Sequence, residues 1–186
     1  TSAAFFAESV DEIIGAGRLS VPEGSQYREM IDDVIAWSDE YPADWGKTWQ
    51  KIEDKWGEQD RCPEGINKPF NIDAKLNGAY VFMGLLYGNG NFENSMYIAM
   101  KGGQDSDCNP STVGGILGTW LGLSDIPYKF YEYLDPETPI LYTDHTYNDA
   151  INMSVDAARQ VVLMKGGSIE DSGGTETWVI PPMAEI

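Results

Sequence analysis

Lys101-Gly102-Gly103-Gln104-Asp105-Ser106-Asp107-Cys108-Asn109-Pro110 is the stretch from which the rest of the chain is best read. A glycine pair leads into two carboxylates two residues apart, and a glycine-studded segment, Ser111-Thr112-Val113-Gly114-Gly115-Ile116-Leu117-Gly118, comes next. Glycines let backbone amides approach a ligand with no Cβ in the way. Paired Asp side chains are the hard oxygen donors that Mg²⁺, Mn²⁺ or Ca²⁺ prefers. The same spacing also reads as a helix start, with Asp105 and Asp107 as caps and Pro110 in the first turn. Spacing alone leaves both readings open.

Asp105-Ser106-Asp107-Cys108-Asn109, with Ser111 to Gly118 and Gly122 behind it, resembles the C-terminal signature of the ADP-ribosylglycohydrolase family. The usual form of that signature is Gly-Gly-Asp-Thr-Asp-Thr ahead of a small-residue helix. The likeness extends back through Trp45, Trp49, Trp56, Pro69-Phe70-Asn71-Ile72-Asp73-Ala74 and Asn77-Gly78-Ala79, and runs from Ala3 to Tyr133. It implies an all-α fold, a helical bundle of that family's kind. It also implies a two-metal site, usually Mg²⁺ with Mn²⁺ as the alternative, and hydrolysis of a bond to the anomeric carbon of ADP-ribose. The implied partners are an ADP-ribosylated protein or a small ADP-ribose conjugate.

Matched residue by residue, Asp105 and Asp107 take the two acidic positions of the family's metal motif. Cys108 falls where the family has Thr or Ser, whose hydroxyl also reaches a metal. A thiol is soft where Mg²⁺ is hard, so either Cys108 is no ligand or the ion differs. Gln104 replaces the second glycine of the usual pair. Gly103, Gln104, Asn109 and Ser111 are the candidate contacts to substrate or to ordered water beside the ions.

The family's other half-site is a Thr-Asp-Asp cluster with an acidic residue for the chemistry, and it has no counterpart in this sequence. Asp32-Asp33 follows Ile31 on what reads as a solvated helix face. We therefore expect the chain to be the C-terminal portion of a hydrolase, with its catalytic group on a missing N-terminal segment. Asp32, Asp33, Glu64 and Asp73 are the fall-back carboxylates. Two other readings stand beside this one: a non-catalytic metal- or ligand-binding relative, and a hydrolase of another glycoside or nucleoside.

The 186 residues carry 30 acids against 12 bases, a net charge of −18. Such a surface repels phosphate backbones and anionic lipid, so neither nucleic acid nor a membrane is a favoured partner. An anionic substrate has to be held locally, by ions and backbone amides. No run approaches the ~18 apolar residues of a membrane span, and a soluble protein is expected. Cys62 and Cys108 make neither a disulfide framework nor a zinc spacing. Thr1-Ser2-Ala3-Ala4-Phe5-Phe6 has no initiator Met and no signal-peptide pattern, and reads as a chain cut from something longer. His145, the only histidine, has no nucleophile pattern beside it and reads as a loop residue.

Periodicity supplies the elements. Phe6, Val10, Ile13 and Ile14 share a helical face that Gly15 and Gly17 should end. Ser25 can cap a helix carrying Tyr27, Met30, Ile31, Val34 and Ile35, and Asp44 one with a core stripe of Trp45, Trp49, Ile52 and Trp56. Cys62-Pro63-Glu64-Gly65 through Pro69 is a loop. Asp73 to Tyr87 is apolar nearly all round, a buried central helix, with Asn71 and Asp73 as turn and cap ahead of it. Phe92, Met96, Ala99 and Met100 define the next helix.

Gly114, Gly118 and Gly122 recur every four residues. Each costs about 1 kcal/mol relative to Ala, so we expect the row to pack closely on a neighbouring helix. Thr146-Tyr147-Asn148-Asp149 has the capping-box pattern, opening a helix with Ile151, Val155, Ala158 and Val162 inward. Gly173-Gly174 centres a hairpin. The expected division is a helical domain over 1–142 and a helix plus hairpin over 143–186, the start of an appended module.

Overall fold

The computed structural model describes residues 1–57 and 72–181. These residues form α1 (Val10–Leu19), α2 (Gln26–Glu40), α3 (Trp45–Trp56), α4 (Ala74–Gly88), α5 (Phe92–Lys101), α6 (Cys108–Leu121) and α7 (Tyr147–Met164). Strands β1 (Ser168–Ser172) and β2 (Thr175–Val179) close the described chain. The fold is helical with one small C-terminal hairpin, as the sequence led us to expect. The Cys62–Pro69 segment, Glu64 and Asn71 lie outside the described residues. Two compact units are present, Thr1–Tyr128 and Lys129–Ile186.

In the first unit the anticipated caps form. Ser25 Oγ accepts from Arg28 N at 3.2 Å, and Asp44 Oδ1 from Lys47 N at 3.3 Å. Asp73 Oδ1 accepts from both Lys75 N and Leu76 N, at 2.8 and 3.0 Å. α1 does not stop at its glycines; it runs on to Leu19. Burial of Val10, Ile13 and Ile14 offsets the lost propensity, and Gly17 faces the Phe82 ring of α4.

α4 is the centre of this unit and touches α1, α2, α3, α5 and α6. From Leu76 to Gly88 none of its residues is exposed. On one side Leu76, Ala79, Tyr80 and Met83 pack with Met30, Ile31, Val34, Ile52, Trp56 and Ile98. On the other, Leu85 packs with Val10, Ile14, Phe92, Ala99, Val113 and Leu117. The tryptophan stripe is core as expected, with Trp56 fully buried and Trp45 and Trp49 half-buried at its edge.

The close helix approach falls on α4 and not on α6. A Cβ at Gly84 would lie 2.7 Å from Ser95 O and 2.9 Å from Ala99 Cβ, both on α5. One at Gly88 would meet the Ser95 side chain and Cα. By contrast Gly114 faces the flexible tip of Met96, Gly118 faces Ile126 Cδ1 at 3.2 Å, and Gly122 has open space around it. Gly122 ends α6 with φ +76°. The expected glycine row is therefore not one contact surface. Its last member answers to backbone conformation, and its first two to side chains.

In the second unit the capping box forms: Asp149 N donates to Thr146 Oγ1 at 3.1 Å, and Thr146 N to Asp149 Oδ2 at 2.8 Å. The inward face expected for α7 does not. Ile151, Val155 and Ala158 are exposed, and only Val162 is buried. Within its own unit α7 packs on β1. β1 and β2 pair antiparallel, with Ile169 opposite Trp178. Gly173 and Gly174, at φ +67° and +89°, supply the two left-handed positions that a two-residue hairpin turn requires. Arg159 donates to both Glu176 oxygens, at 2.8 and 3.1 Å, tying α7 to β2. Among the described residues no helix is long and apolar enough to cross a membrane.

Candidate metal centre

The segment between α5 and α6 takes its shape from three anchors. Gly102 is buried, and a Cβ there would strike the Tyr80 ring of α4. Its carbonyl accepts the indole N–H of Trp49, on α3, at 2.8 Å. Asn77, on α4, holds the next part of the turn: its Oδ1 accepts from Asp105 N at 3.1 Å and from Asn109 Nδ2 at 2.8 Å. Gly103 turns the chain at φ +99°, where a side chain would be strained.

The turn delivers three side chains to one place. One ligand atom from each of Asp105, Asp107 and Cys108 lies within 4.8 Å of the other two, the only such grouping among the described residues. Asp105 is half-buried, while Asp107 and Cys108 are exposed. All stand at the N-terminal end of α6, where the helix dipole favours negative charge.

Capping explains Asp105 in part and Asp107 not at all. Asp105 Oδ1 accepts from Cys108 N at 3.3 Å, but the Asp107 side chain accepts no backbone hydrogen bond from α6. The Asp107 carboxylate is thus spent on no amide of the helix it precedes. Asp107 and Cys108 hydrogen-bond to Asp105 and hold its carboxyl below the usual carboxylate range. The same hydrogen bond to Asp105, with the charges of both acids, pushes the Cys108 thiol up.

This donor set fits a hard divalent cation. It offers two carboxylates close together and partly open to solvent. The Cys108 thiol is soft where such an ion is hard, so it is the one donor of the three that matches the ion poorly. One of the two departures from the family motif has a structural answer. Gln104, at φ +50°, carries the turn that glycine would carry and uses its side chain as well. Its Oε1 accepts from Asn77 Nδ2 at 3.1 Å and Asp73 N at 3.3 Å.

The remaining candidates divide. Asn109 is 3% exposed, and its amide donates to Asn77 Oδ1 and, at 3.5 Å, to Gly103 O. Ser111 is exposed, and its hydroxyl donates to Asp107 O at 2.7 Å. Asp32 is paired with Arg18, and Arg28 Nε stands 3.4 Å from the same oxygen without hydrogen-bond geometry. Asp33 accepts from Trp56 Nε1 at 2.9 Å and pairs with Lys55 at 2.6 Å. Asp73 caps α4. Each of these three carboxylates has a partner within the fold, and His145 is exposed on its loop.

Two supports of the site carry no functional reading in the sequence: Trp49, whose spacing places it in the core stripe, and Asn77. The signal for Asn77 was present, because a lone amide in an otherwise apolar helix needs fixed partners. For Trp49 there was none, since an indole N–H has no periodicity.

The family model described as ADP-ribosylglycohydrolase matches residues 1–161. Comparison with curated proteins and with solved structures gives no match.

Proposed function

The chain belongs to the ADP-ribosylglycohydrolase family, and from that premise we propose that it acts as a divalent-cation-dependent hydrolase at the anomeric carbon of ADP-ribose. The observation that carries this reading is the convergence of Asp105 and Asp107, at the family's metal-motif positions, in one donor group beside Cys108. Mg²⁺ suits the donors best, with Mn²⁺ as an equivalent. Such an ion supplies polarisation of bound oxygens and a water of lowered pKa.

The chain's own part is geometric. Asp105 is held by its backbone N–H and oriented, Asp107 caps no helix amide, and Gly103 brings backbone to the rim of the site. Asp105 and Asp107 do not complete the shells of two ions, so further ligands come from outside this segment. The proton-transfer group is likewise none of Asp32, Asp33 and Asp73, whose carboxylates are committed to ion pairs and a cap. The substrate we propose is an ADP-ribosylated protein or a small ADP-ribose conjugate.

The test is ion-dependent thermal stabilisation, measured with the wild type and with Asp105→Asn/Asp107→Asn. Ligands that bind only the folded state stabilise it by mass action. Mg²⁺ or Mn²⁺ should raise the wild-type Tm and leave that of the double variant unchanged. ADP-ribose release from a modified peptide should follow the same pattern. An equal rise in both proteins would refute the assignment. The thiol at position 108 favours one further reading, a relative that binds the ion without turnover, which predicts the Tm shift with no release.

A further inference from the structure

Asn77 is 9% exposed, and its amide is filled on every side. Nδ2 donates to Asp73 O at 2.9 Å and to Gln104 Oε1 at 3.1 Å, while Oδ1 accepts from Asp105 N and Asn109 Nδ2. Two donors and two lone pairs are the whole capacity of that group. Its orientation is therefore fixed, and with it the position of the Asp105 amide.

Gln104 closes this arrangement. Its left-handed backbone is one a non-glycine residue adopts at a cost, and a glycine there would be relaxed. A glycine would also bring no acceptor. The Gln104 Oε1 receives Asn77 Nδ2 and Asp73 N together, which splices the strained turn to the N-terminus of α4.

We propose that Gln104, acting through Asn77, is a positioning residue that sets the Asp105 carboxylate for a divalent cation before the ion arrives. The proposal rests on the assignment of Asp105 and Asp107 as ligands. It differs from a purely structural role in what it predicts. Gln104→Gly relieves the backbone and removes the acceptor, so the folded state should survive while the site loosens. Gln104→Met keeps length and backbone and removes only the acceptor. Gln104→Glu keeps an oxygen able to receive both donors.

The experiment has two readouts on the full chain, free Mn²⁺ followed by electron paramagnetic resonance during titration, and amide hydrogen exchange at Asp105 without metal. Hydrogen-bond partners of metal ligands typically govern affinity by 10–100-fold, so Gln104→Gly and Gln104→Met should each weaken Mn²⁺ binding about tenfold. Both should speed exchange of the Asp105 amide with little change in Tm. Gln104→Glu should keep that amide protected, a result its added charge cannot produce by attracting the ion. Wild-type affinity and wild-type exchange in Gln104→Gly and Gln104→Met would overturn the proposal. The Asp105→Asn/Asp107→Asn variant separates the two claims. If it binds Mn²⁺ like the wild type, the ligand reading fails and this proposal with it. If it loses the ion while both acceptor-free variants retain it, only the positioning role fails.

Discussion

The indole nitrogen of Trp49 donates to the carbonyl of Gly102 at 2.8 Å across 53 residues of sequence. Gly102 is buried, so this bond satisfies a carbonyl at the exit of α5, directly ahead of the acidic turn. Trp49→Phe keeps a ring in place and removes the donor. It should cost about 1 kcal/mol, read as a lower urea midpoint with an unchanged m-value. An unchanged midpoint would show that water replaces the bond freely.

Gly84→Ala and Gly115→Ala should move stability in opposite directions. The new methyl at Gly84 meets Ser95 backbone 2.7 Å away, which cannot yield without separating α4 from α5. Overpacking of this kind costs about 1–3 kcal/mol. At Gly115 nothing lies within 4 Å of the new atom. Helix propensity alone then applies, for a gain of up to about 1 kcal/mol. Thermal melts of the two variants check the pair, and a shared sign would undo the packing account.

Cys108→Thr installs the family's hydroxyl beside Asp105. A hydroxyl is a harder donor than a thiol, so Mg²⁺-dependent stabilisation should be kept or enlarged. A large loss of ion binding would instead identify a sulfur ligand and a softer ion.

Acid should weaken the α1–α2 contact before it reaches the core. Arg18 donates to Asp32 and, with the charge of Arg28 behind it, holds that carboxyl below its usual value. A lowered folded-state pKa gives stability that is present above the ordinary aspartate value and lost as pH falls through the folded one. Asp32→Asn should therefore flatten the stability profile between roughly pH 5 and pH 2, with little change in slope above it. A profile of wild-type steepness in that window would exclude Asp32 as a contributor.

Much of this architecture was legible because it is local. Ser25, Asp44 and Thr146 act through hydrogen bonds three residues along, and α4 declared itself by apolar residues all round. What escaped was set by tertiary partners. The row Gly114–Gly118–Gly122 has the same spacing as a packing face, yet only the neighbours of each glycine decide whether a face exists. Ile151 and Val155 obey helical periodicity while lying exposed, since periodicity reports what a helix could bury and not what its own unit covers. At the site, Asp105 and Asp107 were readable from their motif. Their fixation by Asn77 and Gln104 was not, because those bonds join residues 27 and 28 apart.

Because α4 contributes Tyr80 and Met83 to one apolar cluster and Leu85 to the other, neither cluster can melt while its counterpart stays intact. The first unit should accordingly lose structure in a single cooperative step, with the core amides of α2, α4 and α5 sharing one opening free energy. The slowest-exchanging amides should lie in the middle of α4, opening only when everything opens.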